Sequence, residues 1–176
     1  MQARQRREVL INKMSELAGS EKNCASCSGL CCTSLKNSMQ TSQQETLDIY
    51  EHLKSSGQIN KELIATLTHC IGEYRLDKFF GDGRRALRKT YTCPFYSQGP
   101  TGCSIPKHVK PYGCLAFNPT RVKVTDGIGC ESDQELLIQR EESSRADLKV
   151  NEKLWWDKLP MPVALLEVIK LYGDQV

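Results

Sequence analysis

No run of this 176-residue chain approaches the roughly 20 consecutive apolar residues that a membrane-spanning helix needs. Its opening, MQARQRREVLINKMSELAG, is charged and lacks the continuous apolar stretch of a secretory signal. Neither sign of charge dominates: 24 Lys and Arg face 21 Asp and Glu, for a net charge of +3. A dedicated nucleic-acid binder shows a stronger basic excess or a clear basic face, so the expected partner is another protein rather than nucleic acid. There is no internal repeat, no low-complexity tract, no Ser/His/Asp set and no glycine-rich phosphate loop. These absences point to a cytoplasmic, soluble chain with no membrane partner.

Against this stands an excess of cysteine, with nine residues. An odd number fits poorly with complete disulfide pairing. In a reducing compartment clustered cysteines usually mean metal. With 39% hydrophobic and 26% charged residues, the remainder is ordinary globular composition. Its length suits one domain spanning residues 1–176, comprising an N-terminal helix (1–20), a cysteine-rich core (21–131) and C-terminal helices (132–176).

Leu10, Met14 and Leu17 follow a helical stripe, which leaves Arg4, Arg6, Arg7 and Lys13 for the other faces. Residues 21–40 lose that periodicity and suit a loop. Thr41 or Ser42 then offers a helix cap, with Glu45 at the capping-box position after Ser42. Leu47, Tyr50 and Leu53 continue that helix, and Gly57 can stop it. Asn60 can cap another, whose apolar face carries Leu63, Ile64, Leu67, Cys70, Ile71 and Tyr74. Residues 81–131 hold seven glycines and five prolines, too many for a long helix, although a short strand or single turn is expected, for example around Arg121–Thr125. Asp133 can start a helix running toward Trp155 and Trp156, interrupted at Pro160 and Pro162. Val163, Leu166 and Ile169 mark a final amphipathic helix, and the tryptophans are expected as core anchors. The fold class expected is mainly α, with helices packed around a loop-rich cysteine core and few or no short strands.

The densest motif is Cys24-x-x-Cys27-x-x-x-Cys31-Cys32. A two-residue gap lets two thiolates turn onto one metal at about 2.3 Å, and a near-helical three-residue gap does the same. Adjacent side chains diverge in regular structure, so Cys31 and Cys32 are expected to serve different centres or a bridging position. Downstream, Cys103, Cys114 and Cys130 each follow a glycine, and Cys93 precedes Pro94. These eight residues, Cys24, Cys27, Cys31, Cys32, Cys93, Cys103, Cys114 and Cys130, are the expected metal ligands. Two zinc ions suit their number; iron or an iron–sulfur cluster is equally legal chemistry. Cys70 lies on an apolar helix face and is expected to pack in the core. His108, between Cys103 and Cys114, could serve as a ligand but better suits a surface or supporting position, and His52 and His69 suit structural or solvated ones.

Cys24-x-x-Cys27-x-Gly29-x-Cys31-Cys32, Cys93-Pro94-Phe95-Tyr96, Gly102-Cys103-Ser104-Ile105 and Pro111-x-x-Cys114-x-x-Phe117 together resemble the bacterial cysteine-cluster family named for chelating zinc or iron. The resemblance covers residues 21–131. It implies a metal site at these cysteines and leaves activity open, since some relatives are protein lysine methylases. The chain departs from the family at Pro106, where a tyrosine is common, and at Lys110 and Leu115, where arginines are common.

Three functions are expected. The first is a structural metal domain that binds another protein, favoured because catalytic zinc keeps an open position for water. The second is an iron–sulfur enzyme, and the third is metal storage or delivery. Arg84, Arg85, Arg88 and Lys89, near Tyr91 and Tyr96, suit a solvated basic turn better than a phosphate contact.

Overall fold

The computed structural model describes residues 7–9, 11, 12, 16, 29–78, 88–97, 102–119, 130–132, 135, 138, 154 and 156–173. Helix α1 spans Gln43–Ser55. Ser42 starts it with both halves of the expected capping box: its Oγ accepts from Glu45 N, and its own N–H donates to Glu45 Oε2 at 2.8 Å. These bonds satisfy amides that a helix start otherwise leaves without partners. Helix α2, Lys61–Tyr74, is capped by Asn60, whose Oδ1 accepts from Leu63 N at 2.8 Å. Between the two helices, Gly57 takes a positive φ of 66°.

The expected break at the late prolines is instead a beginning. Pro160 is the N-cap of the C-terminal helix, Met161–Tyr172, and Pro162 lies within its first turn. Proline is tolerated there because the first helical amides have no intrahelical acceptor anyway. Just before this helix, strand β4 (Lys158–Pro160) pairs antiparallel with β1 (Gln40–Ser42), Thr41 facing Leu159. A second short ribbon joins β2 (Phe117–Pro119) to β3 (Cys130–Ser132), also antiparallel. The expected strand near Arg121–Thr125 falls outside the described residues. Mainly helical with a few short strands, the architecture matches the fold class expected from sequence.

The C-terminal helix packs on α1 and α2. Its sequence, MPVALLEVIKLY, is apolar on most sides, which suits an element covered from several directions. Val163, Ala164, Leu165, Val168 and Ile169 meet Ile49, Tyr50 and Leu53 of α1 and Leu67 of α2 in one core. Burying each of the larger aliphatic side chains favours the fold by about 1.5–3 kcal/mol. Trp156 lies in the same core at 1% exposure, the anchor expected for it, and Cys70 joins it at 5%. Tyr91 is fully buried. Its hydroxyl donates to Met39 O at 2.6 Å and accepts from Met161 N at 3.3 Å, tying the start of the last helix to the segment before β1. Burial of that ring also removes Tyr91 from any stacking role in a nucleic-acid contact.

Residues 7–9 and 11–12 are helical, as expected, while Leu10, Met14 and Leu17 fall outside the described residues. Glu135 and Ile138, within the expected helix after Asp133, are helical too. Among the described residues no helix is long and apolar enough to cross a membrane.

Candidate functional site

The segment carrying Cys31 and Cys32 starts at Gly29, whose φ of 72° is left-handed. A side chain at Gly29 would overlap the Tyr96 ring, so conformation and space both call for glycine there. Leu30–Cys32 then forms a single 3-10 turn. Residues 32–37 are zipped onto residues 91–93 by a run of hydrogen bonds. Cys93 N donates to Cys32 O at 2.8 Å, Ser34 N to Thr92 Oγ1 at 3.2 Å, and Tyr91 N to Asn37 O at 2.9 Å. Asn37 Nδ2 returns a bond to Tyr91 O at 2.9 Å. Cys70, from α2, turns its sulfur toward Thr92 O at 3.5 Å.

From Cys93 the chain folds back. Ser104 N donates to Phe95 O at 2.9 Å, and Tyr96 bridges to Cys103 across a short antiparallel contact. Pro111 then begins the one-turn helix α3, Tyr112–Leu115, in which Cys114 N donates to Pro111 O at 2.9 Å. Pro111 supplies a fixed φ and no N–H at a helix start, where neither is missed.

The result is a convergence of thiols from four stretches of chain. Cys114 lies within electrostatic reach of Cys103 and Cys31, and Cys93 of both Cys114 and Cys103. The Cys31 and Cys32 sulfurs are 4.0 Å apart. They do not diverge as regular backbone geometry predicts, because the 3-10 turn tightens the chain at that point. Cys31, Cys32, Cys70, Cys93, Cys103 and Cys114 are all free thiols.

Burial and crowding hold Cys31, Cys93 and Cys114 protonated. Cys31 is pushed far above the usual thiol range, first by its hydrogen bond with Cys32 and then by burial. Cys93 is pushed well up by burial and by the charge of Cys114. Cys114 rises to about 12, through burial first and the charge of Cys103 next, while the Lys110 ammonium pulls it down. Yet Cys114 alone among the described cysteines is exposed to solvent. Water reaches part of this residue while the surrounding protein still strips hydration from its thiolate.

This geometry overturns the zinc and iron expectation. A tetrahedral zinc needs sulfurs that share one centre at about 2.3 Å, and therefore lie about 3.8 Å from one another. Among the described residues no group of three or more His, Cys, Asp or Glu side chains is arranged to hold a metal ion. The structural metal domain, the iron–sulfur enzyme and the storage or delivery role lose their support together. So does the resemblance to the zinc- or iron-chelating cysteine-cluster family, which rested on the same residues. Of the eight cysteines singled out by spacing, Cys24 and Cys27 lie outside the described residues, as does the Cys130 side chain; the Cys130 backbone faces Pro119 in the β2–β3 ribbon. Cys31, Cys32, Cys93, Cys103 and Cys114 are the ones brought together.

Several neighbours make contacts with this site that their sequence signals did not reveal. Glu45, wholly buried, offers its second oxygen to Tyr112 N at 2.8 Å. Arg7 was expected on an outer helix face but is 6% exposed, paired with Asp48 at 2.6 Å and seated 5.1 Å from the Tyr112 ring centroid. His108 packs edge-on against His52 with ring centroids 5.7 Å apart, while His69 is exposed beside Glu73.

No family model, curated protein or solved structure matches this chain.

Proposed function

We propose that this chain is a thiol–disulfide exchange protein, with Cys114 as its attacking sulfur and Cys103 as the sulfur that resolves the intermediate. The observation that carries the proposal is the exposure of Cys114 at the hub of a set of reduced thiols. Disulfide exchange requires an accessible sulfur to attack and a second within the same site. Lys110 is the cation that favours the Cys114 thiolate, and Cys103 is the thiol whose charge it feels most.

The electron count closes within this set. The Cys114 thiolate attacks one sulfur of a partner disulfide, forming a mixed disulfide and releasing the partner's other sulfur as a thiolate. Cys103, on losing its proton, attacks the Cys114 sulfur. The second partner sulfur leaves, and a Cys103–Cys114 disulfide remains. Two thiols of this chain have given up two electrons and two protons, and the partner disulfide has become two thiols. A raised thiol makes the free protein slow toward mild oxidants, since the thiolate is the reactive form. The partner disulfide is best supplied by another protein, docked closely enough to exclude water and bring its sulfur to Cys114. The work belongs to a reducing compartment such as the cytoplasm, where free thiols persist. The chain acts as one domain, which accords with the pairing of residues 40–42 and 158–160.

The test is peptide mapping under non-reducing conditions after incubation with a disulfide-bonded protein substrate. A Cys103–Cys114 disulfide is expected in the wild type, and a trapped mixed disulfide at Cys114 in Cys103→Ser. If every thiol stays alkylatable, or if pairing is scrambled as it is in the urea-unfolded chain, the proposal fails.

A further inference from the structure

Two buried side chains that take no part in the thiol set converge on the turn that carries its exposed member. Glu45 Oε1 accepts the amide of Tyr112 at 2.8 Å, two residues before Cys114. Its other oxygen is occupied by Ser42 N at the head of α1, so the carboxylate ties α3 to the start of a long helix. Arg7 reaches the same turn from the N-terminal helix. Its Nε donates to Lys110 O at 3.3 Å, its guanidinium lies over the Tyr112 ring, and Asp48 of α1 holds it at 2.6 Å. Among the described residues, the buried Arg7 Nη2 has no hydrogen-bond partner. An unpaired buried donor is costly, so this guanidinium keeps its place through its other contacts. Ile11, one turn further on, packs against Tyr112 and Leu115.

From this arrangement we infer that Glu45 and Arg7 are positioning residues for Cys114: they clamp residues 110–115 between α1 and the N-terminal helix and so set the angle and surroundings of that thiol. The functional weight of the clamp rests on the exchange chemistry proposed above; its existence does not. Glu45 acts in two ways. Its hydrogen bond fixes the turn, and its negative charge opposes ionisation of Cys114, the effect that Lys110 counters. Among the described residues, the groups facing Cys114 electrostatically are Cys103, Cys31, Cys93, Tyr91, Lys110 and Glu45. Within that set Glu45 and Lys110 alone are neither thiol nor phenol.

The experiment uses the fully reduced full-length chain, so its result does not depend on whether disulfide exchange occurs. Iodoacetamide labelling of Cys114 is followed peptide by peptide across pH 7–11, together with amide hydrogen exchange in residues 110–116. Glu45→Gln is expected to move the Cys114 profile to lower pH and raise its labelling rate several-fold at pH 8. The profile of Cys70, whose charged neighbour is Glu73, should stay in place. Arg7→Ala is expected to speed amide exchange across 110–116 several-fold. Arg7→Lys should restore it only in part, since lysine keeps the charge for Asp48 but loses the planar fork. An unmoved Cys114 profile in folded Glu45→Gln, together with unchanged exchange in Arg7→Ala, overturns the inference. If Glu45→Gln fails to fold, Asp48→Asn and Arg7→Ala decide it: wild-type labelling and exchange in both would refute the clamp. Should the clamp hold while no Cys103–Cys114 disulfide ever forms, the function proposed above fails and the positioning role stands.

Discussion

Replacing Glu45 by alanine removes the acceptor of two backbone amides at once. Ser42 N and Tyr112 N each donate to this carboxylate at 2.8 Å, and both bonds are buried. Hydrogen bonds to a charged group contribute about 1.5–3 kcal/mol each, and a donor left unsatisfied in the interior costs on the same scale. The reverse half of the capping box survives, because Ser42 Oγ accepts from the backbone N–H of residue 45. Two lost bonds therefore predict a destabilisation of about 3–6 kcal/mol, a large part of the roughly 5–15 kcal/mol that holds a typical domain. Glutamine keeps one carbonyl acceptor and turns an NH2 toward the second amide, so Glu45→Gln should lose about half as much. Urea unfolding followed by far-ultraviolet circular dichroism measures both variants under reducing conditions. A loss below about 1 kcal/mol in Glu45→Ala would refute the view that this carboxylate joins α1 to the Cys114 turn.

Burial, and then the charge of Glu73, raise the Cys70 thiol from 9.0 to about 11. The folded state therefore keeps a proton that the unfolded chain releases. That stabilisation is fully present below pH 9 and is lost as pH climbs toward 11, by about 2–3 kcal/mol in all. Urea titrations should show wild-type stability falling more steeply than that of Cys70→Ala across that window, and parallel curves would contradict it. Tyr91→Phe should cost only about 1 kcal/mol, because Met161 N also donates to Met39 O at 3.3 Å and keeps both backbone groups partnered; a loss several times larger in urea unfolding would contradict that compensation. Gly29→Ala should destabilise by at least the 1–2 kcal/mol of a left-handed alanine, and it forces the Tyr96 ring aside. A wild-type midpoint in urea would show that Gly29 does not need its positive φ.

Local signals in the sequence were legible where the physics is local. Ser42 and Glu45 sit three residues apart on one turn, so their pairing needs nothing from the rest of the chain, and Asn60 marks its helix in the same way. The second role of Glu45 was hidden, because Tyr112 lies 67 positions away and nothing in either residue names the other. Arg7 was misplaced on the outer face for a related reason. A cation is buried only when partners are supplied, and here Asp48 and the Tyr112 ring supply them from elsewhere in the chain. Strands of three residues carry too little alternation to be recognised, and Pro160 and Pro162 spell a helix start or a helix break with the same letters. Cysteine spacing singled out Cys31, Cys32, Cys93, Cys103 and Cys114 as metal ligands, and the fold places them near one another. Spacing says nothing about whether sulfurs share a single centre, and the metal expectation failed at that step.

The bond from Tyr50 to the carbonyl of Tyr172 spans 122 positions, and β1 waits on β4 for its ladder partner. A nascent chain can finish neither until its last helix has left the ribosome. The cysteines emerge long before that, without the lid that the C-terminal helix places over Tyr91 and the neighbouring core. The thiols that the C-terminal helix later helps to enclose are thus most open to outside reagents while the chain is being made.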